Sequence, residues 1–187
     1  MSAENLIELL RVYQNTYPQE SPTAERYIDF VESHGDCFER TQLSGHVTGS
    51  AWLVNTHGTH VLLTHHRKLN RWLQLGGHAD GHSNVLEVAL NEAREESGIQ
   101  QIHALDEQLF DIDIHEIPGR KNEPAHFHYD ARFALQVSGS DIFSVSDESH
   151  ALEWIEIREL AQRTDEISML RMAGKWQSRQ MLRLRQD

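Results

Sequence analysis

Glu92, Glu95 and Glu96 stand at i, i+3 and i+4 of a segment that opens on Gly76-Gly77 and closes on Gly98. That spacing puts three carboxylates on one face of a helix. Like charges packed so closely repel each other and destabilise an isolated helix. The other side carries Val85, Val88 or Ala89, and Ala93 at core spacing, so the helix is expected to sit on a core. Asn84 with Glu87 three residues on fits a capping box, and Gly98 fits the glycine that follows a helix C-terminus. Upstream, residues 72–75 read as a short strand ending in Gly76-Gly77, where glycine permits close backbone approach or positive φ. A solvated acidic helix face competes as an explanation of the spacing alone. The glycine frame favours a site in which a hard cation such as Mg²⁺ takes carboxylate oxygens and cancels their repulsion.

The flanking patterns supply that core. Leu6, Leu9, Leu10 and Tyr13 predict a first helix over residues 3–13. Ser21-Pro22 reads as the N-cap and first helical residue of a second, with Tyr27, Ile28, Phe30 and Val31 as its apolar face and Gly35 as its end. This amphipathic pair suits a lid, a homodimer surface or plain packing on the core. Residues 51–54 and 60–63 are short apolar runs around a Gly58-containing turn, which is a hairpin signal. Strands are expected again over 108–117, 126–137 and 152–155, then helices over 157–162 and 167–184. The order is neither a regular βαβ alternation nor all-β. The simplest division is an N-terminal helical extension over residues 1–44 and one α/β domain over residues 45–187.

The formal net charge of −12 argues against a nucleic-acid partner, because backbone binding needs clustered Lys and Arg. It would also repel a small anionic substrate unless metal ions or local cations reverse the field. No apolar run approaches the roughly 18 residues of a membrane span, and the N-terminus lacks signal-peptide character. Cys37 is the sole cysteine, which fits a reducing compartment. The expectation is a cytoplasmic protein with a small-molecule substrate, no nucleic acid and no membrane.

Residues 77–99, GHADGHSNVLEVALNEAREESGI, resemble the Nudix box, G-x5-E-x7-R-E-U-x-E-E-x-G-U, where U is bulky and apolar. Gly77, Glu92, Glu95, Glu96, Gly98 and Ile99 match. Ser83 and Asn91 stand where the pattern has Glu and Arg, Ala93 is small for a U position, and Leu75 replaces a proline often found before the two glycines. The losses at 83 and 91 are one acid and one base, so a neutral pair here replaces an ionic one. The resemblance implies an α/β/α sandwich with a mixed sheet, and hydrolysis of a diphosphate linkage in a nucleoside diphosphate derivative. It implies Mg²⁺, with Mn²⁺ as an alternative, held by Glu92, Glu95, Glu96 and the Gly77 carbonyl. Glu95, Glu96 and Glu148 are then the catalytic carboxylates, Glu96 or Glu148 orienting or deprotonating the water. The two departures motivate an alternative, a non-catalytic domain that binds nucleotides as a sensor. Nucleoside triphosphates, nucleotide sugars, ADP-ribose-like compounds and dinucleoside polyphosphates all fit the box.

The thirteen histidines and the few cations give the remaining candidates. His126 and His128 lie two apart in an expected strand and so face the same way. With His78 beside the box and Arg71 in the basic cluster Arg67, Lys68 and Arg71, they are the candidate substrate-binding residues. The His-x-His pattern also suits a transition metal, a third reading. Trp72, Phe127 and Tyr129 could stack on a base, although aromatic residues in strands more often fill the core.

Overall fold

The computed structural model describes residues 2–66, 71–119, 124–144 and 149–183. Glu148, Arg67 and Lys68 lie outside these. The chain begins with α1 (Ala3–Thr16), a 3₁₀ turn at Pro18–Glu20 and α2 (Ser21–Ser33). Ser21 is itself helical, at φ −48° and ψ −44°, because the 3₁₀ turn feeds straight into α2, so it is the first residue of the helix and not its cap. Then come β1 (Gly45–Val54), β2 (His60–His66), β3 (Arg71–Leu73), β4 (Leu75–His78), α3 (Val85–Ser97), β5 (Ile102–Ala104), β6 (Asp111–Ile117), β7 (His126–Val137), β8 (Ser149–Glu156), a 3₁₀ stretch at Ile157–Gln162 and α4 (Ile167–Arg183).

Among the described residues the strands form one mixed sheet. β1 lies at its centre, buried along its whole length. It runs parallel to β7 from Gly45 opposite Phe127 to Val54 opposite Gln136. On its other side β4 pairs antiparallel with Thr48–Ala51 and β2 joins at Val54. β6 and β5 share the far edge of β7, β6 beside its first half and β5 beside its end. β2 also carries β8 and β3. The expected third strand is thus two strands, β3 on β2 and β4 on β1, with Gln74 at the step between them.

Strand alternation separates two faces. Val47, Ala51, Leu53, Tyr129, Ala131, Phe133 and Leu135 pack in one core with residues of α1, α2 and α3. Trp52, Val54, Leu63, Phe110 and Ala134 pack in the other with Met169, Met172 and Trp176 of α4. Helices therefore cover both faces, as in an α/β/α sandwich. The two N-terminal helices belong to this packing. Tyr27 donates its hydroxyl to the Tyr129 carbonyl at 2.7 Å, and Phe30 stacks on the Tyr129 ring at 3.8 Å. Tyr129 is thus a core residue and not a base platform. Phe127 lies under the Arg26 guanidinium, and Trp72 lies against His65.

Candidate functional site

α3 starts where Asn84 accepts the Glu87 N–H, and it stops at Gly98, which is left-handed at φ 73°. Val85, Val88, Ala89 and Ala93 bury its inner side. Ala93 is fully buried, so the small residue fits close packing of the helix on the sheet. The acidic face then meets β4. A Cβ on Gly77 would collide with the Glu92 carboxylate, and a Cβ on Gly76 would lie 2.8 Å from the Ser50 Cα. The two glycines are needed inside the strand for close approach, to a carboxylate on one face and to β1 on the other. The Gly76 N–H donates to Glu96 Oε1 at 2.8 Å. Glu92 and Glu96 are thus half-buried against the β4 backbone, while Glu95 is exposed.

The loop 79–84 is clasped from outside by the chain that follows α2. Ala79 N–H donates to the Val47 carbonyl at 3.2 Å, Gly81 N–H to the Phe38 carbonyl at 3.0 Å, and Arg40 pairs with Asp80. Asn91 is exposed and accepts from Arg94 Nη1 at 3.4 Å.

The opposite sheet face holds a polar layer. Asp130, buried on β7, accepts from Thr48 Oγ1 at 2.9 Å, Ser50 Oγ at 2.7 Å, Gln74 Nε2 at 3.0 Å and Arg132 Nε at 2.7 Å. Asp111 accepts from Lys175 Nζ at 2.6 Å, Arg171 Nη2 at 2.7 Å and Arg132 Nη1 at 3.1 Å. Sequence reasoning missed this network. The alternation of Asp111 with Asp113, and of Asp130 with Arg132, was its one visible sign. Beside it a polar cavity of about 470 Å³ is lined by Arg71, Asp113, His115, Glu166 and Arg171. Arg71 is exposed there and pairs with Glu166.

At the end of the same layer five imidazoles gather. His46 rings lie 5.0 Å from His78, 4.9 Å from His126 and 4.9 Å from His128, and His115 lies 5.4 Å from His128. Three of the expected substrate-binding residues, His78, His126 and His128, are therefore together, with Arg71 on the cavity wall. His46 and His115 were not singled out in the sequence: His46 precedes the expected 51–54 strand, and nothing local ties His115, in the expected 108–117 strand, to the other rings. Burial, with Arg40 and His46 nearby, pushes the His78 imidazole down to about 4. Burial and then His78, His115, His46 and His126 push His128 well down as well. Burial thus favours the neutral form of His78 and His128. The His128 Nε2 and His126 Nε2 atoms are buried with no hydrogen-bond partner among the described residues, which costs about 1–3 kcal/mol each unless something binds there.

The chain belongs to the Nudix family: the NUDIX domain profile matches residues 45–175, well over half of the sequence. Solved structures share the fold. A C. elegans Ap4A hydrolase binary complex is similar at 17% identity and TM-score 0.60, covering 71% of this chain and 95% of that one. A NUDIX-family hydrolase from Clostridium perfringens is similar at 26% identity and TM-score 0.54, covering 71% and 96%. A MutT protein from Methanosarcina mazei Go1 is similar at 16% identity and TM-score 0.55, covering 74% and 97%. A search of curated proteins finds no significant match. Among the described residues no helix is long and apolar enough to cross a membrane.

Proposed function

We propose that this Nudix protein hydrolyses a diphosphate linkage in a nucleoside diphosphate derivative, with Mg²⁺ as its metal and Mn²⁺ as a working substitute. The observation that carries this reading is the seating of Glu92 and Glu96 on the Gly77 and Gly76 backbone. Two half-buried carboxylates beside a glycine pair make a hard, all-oxygen donor set, the kind Mg²⁺ prefers. Glu92, Glu95, Glu96 and the Gly77 carbonyl would hold it. When bound, such an ion offsets charge on the diphosphate and lowers the pKa of a coordinated water.

The chain's own residues do the rest. Glu96, fixed by the Gly76 N–H, takes the proton of the attacking water. Glu95, the exposed member, meets the substrate from the solvent side. Glu148 is kept as a further catalytic carboxylate on sequence grounds. Arg71, on the wall of the polar cavity, is the cation that offsets substrate charge in an acidic protein. The lone, buried Cys37 fits a cytoplasmic enzyme and is no nucleophile. A homodimer built on α1 and α2 would use their outer faces, since their inner faces fill the core.

The test is hydrolysis of a panel of nucleoside diphosphate derivatives with Mg²⁺ or Mn²⁺, beside Glu95→Gln and Glu96→Gln. Turnover lost in both variants supports the reading and names the substrate class. If metal-loaded wild type binds a nucleotide and cuts none, the chain is a sensing domain, and Ser83 and Asn91 mark its lost catalysis.

A further inference from the structure

The glutamates lie on one side of β4, and a group of imidazoles converges on its other side. His46 and His128 are directly opposed on the parallel strands β1 and β7, and His78 on β4 is opposite Thr48, two residues along β1 from His46. Strand alternation turns all three to the same face, away from α3, while the neighbouring Gly77 faces Glu92. One ligand nitrogen from each ring lies within 4.8 Å of the other two. Among the described residues this is the one trio of His, Cys, Asp or Glu so closely gathered.

Convergence alone could be ring packing. Two further observations point to an occupant. His128 Nε2 is buried and makes no hydrogen bond. His126, whose ring is 5.3 Å from His128, has Nδ1 3.0 Å from the Pro124 carbonyl. That contact makes Nδ1 the donor and turns Nε2 away from it, also buried and without a hydrogen bond. A hard ion such as Mg²⁺ prefers oxygen. Neutral imidazole nitrogens match borderline divalent ions of the zinc class, whose tetrahedral geometry draws ligand atoms to about 3.4 Å apart.

We propose that His46, His78 and His128 hold a second metal, a zinc-class divalent ion, on the sheet face opposite the glutamates, with His126 beside them as the donor for the fourth position. The ion would staple β1, β4 and β7 at one end of the sheet. The site is independent of hydrolysis and goes beyond the function proposed above.

The test uses the full chain, stripped of metal and titrated with Co²⁺ in a large excess of Mg²⁺, which occupies the carboxylates. One equivalent is expected, with the visible bands of tetrahedral Co²⁺. Binding should survive in Glu92→Gln and Glu95→Gln, and weaken by more than about 100-fold in His78→Gln and His128→Gln. His78 is the less buried of the two, and circular dichroism checks that each variant folds. X-ray absorption on zinc-loaded wild type needs no variant and should show imidazole scattering from at least three rings. No stoichiometric Co²⁺ uptake by wild type, or uptake lost in Glu92→Gln and kept in His78→Gln, overturns the proposal. Hydrolysis is scored separately: a protein that binds Co²⁺ through its histidines but cuts nothing keeps this site and loses the proposed activity.

Discussion

The Gly76 N–H donates to the Glu96 carboxylate at 2.8 Å, so a glycine in the strand before the box loop fixes a glutamate in the last turn of the helix after it. In Glu96→Gln the amide oxygen can still accept that hydrogen bond, while the side chain can no longer take a proton. Turnover should fall by about 10²- to 10⁴-fold with the melting temperature nearly unchanged. Steady-state rates beside a thermal melt check both halves. An unchanged rate removes Glu96 from the role of base.

Gly77→Ala places a methyl where the Glu92 carboxylate lies. Glu92 must move, and the Mg²⁺ concentration for half-maximal activity should rise at least about tenfold. Gly76→Ala meets the β1 backbone at Ser50 and cannot be relieved by a side-chain rotation, so it should cost about 1–3 kcal/mol of stability. Denaturant unfolding of the two variants separates the effects.

Ser83→Glu and Asn91→Arg test the neutral pair in the box. If the two positions support each other, the double variant should gain more activity than the sum of the single changes in free energy. Additive or smaller gains leave the positions uncoupled. Asn91 now lies beside Arg94, so Asn91→Arg alone adds a like charge and should slow the enzyme or destabilise α3 by a few tenths of a kcal/mol.

Asp111 is wholly buried and shared by Arg132, Arg171 and Lys175. Asp111→Asn leaves those cations undercompensated and should cost about 3–5 kcal/mol, measured by chemical unfolding. The neighbouring Asp113 supplies the pH dependence. Desolvation pushes its carboxyl up, but the His115 hydrogen bond and the Arg132 and Arg171 charges outweigh that and hold it well below its ordinary 3.8. A depressed carboxylate stabilises the fold at pH above its unfolded value and loses that contribution as pH falls through the folded value. Wild type should therefore lose stability below about pH 4, and Asp113→Asn should show a shallower acid limb in melts across pH.

Burial raises the Cys37 thiol to about 11. At pH 8 it should react with a disulfide reagent far more slowly than free cysteine, and at the free rate in denaturant. Fast labelling of the native protein would place Cys37 at the surface.

The box was legible because its signals are local. The Asn84 cap, the Gly98 stop, the buried side of α3 and the shared face of Glu92 and Glu96 all follow from spacing within one helix. β7 was read with its observed limits, since apolar residues recur at every second position from Phe127 to Val137. The first half of β1 was not legible. His46, Thr48 and Ser50 look like a polar loop, and they are buried because Asp130, far along the chain, accepts from both hydroxyls. β5 was missed because three residues carry no period. The imidazole trio was partly seen: His78 and His128 were singled out in the sequence, whereas His46 joins them only through register.

The parallel pairing of β1 with β7 has a consequence for the order of folding. Thr48 and its pairing partner Asp130 are 82 positions apart, so closing that loop costs chain entropy before any contact rewards it. The pairings of β1 with β2 and of β6 with β7 close over much shorter spans and should form first. The imidazole trio straddles the late pairing and exists only once the centre of the sheet has zipped. An ion held there would not nucleate the fold. It would slow unfolding, acting as a latch that engages after the door is shut.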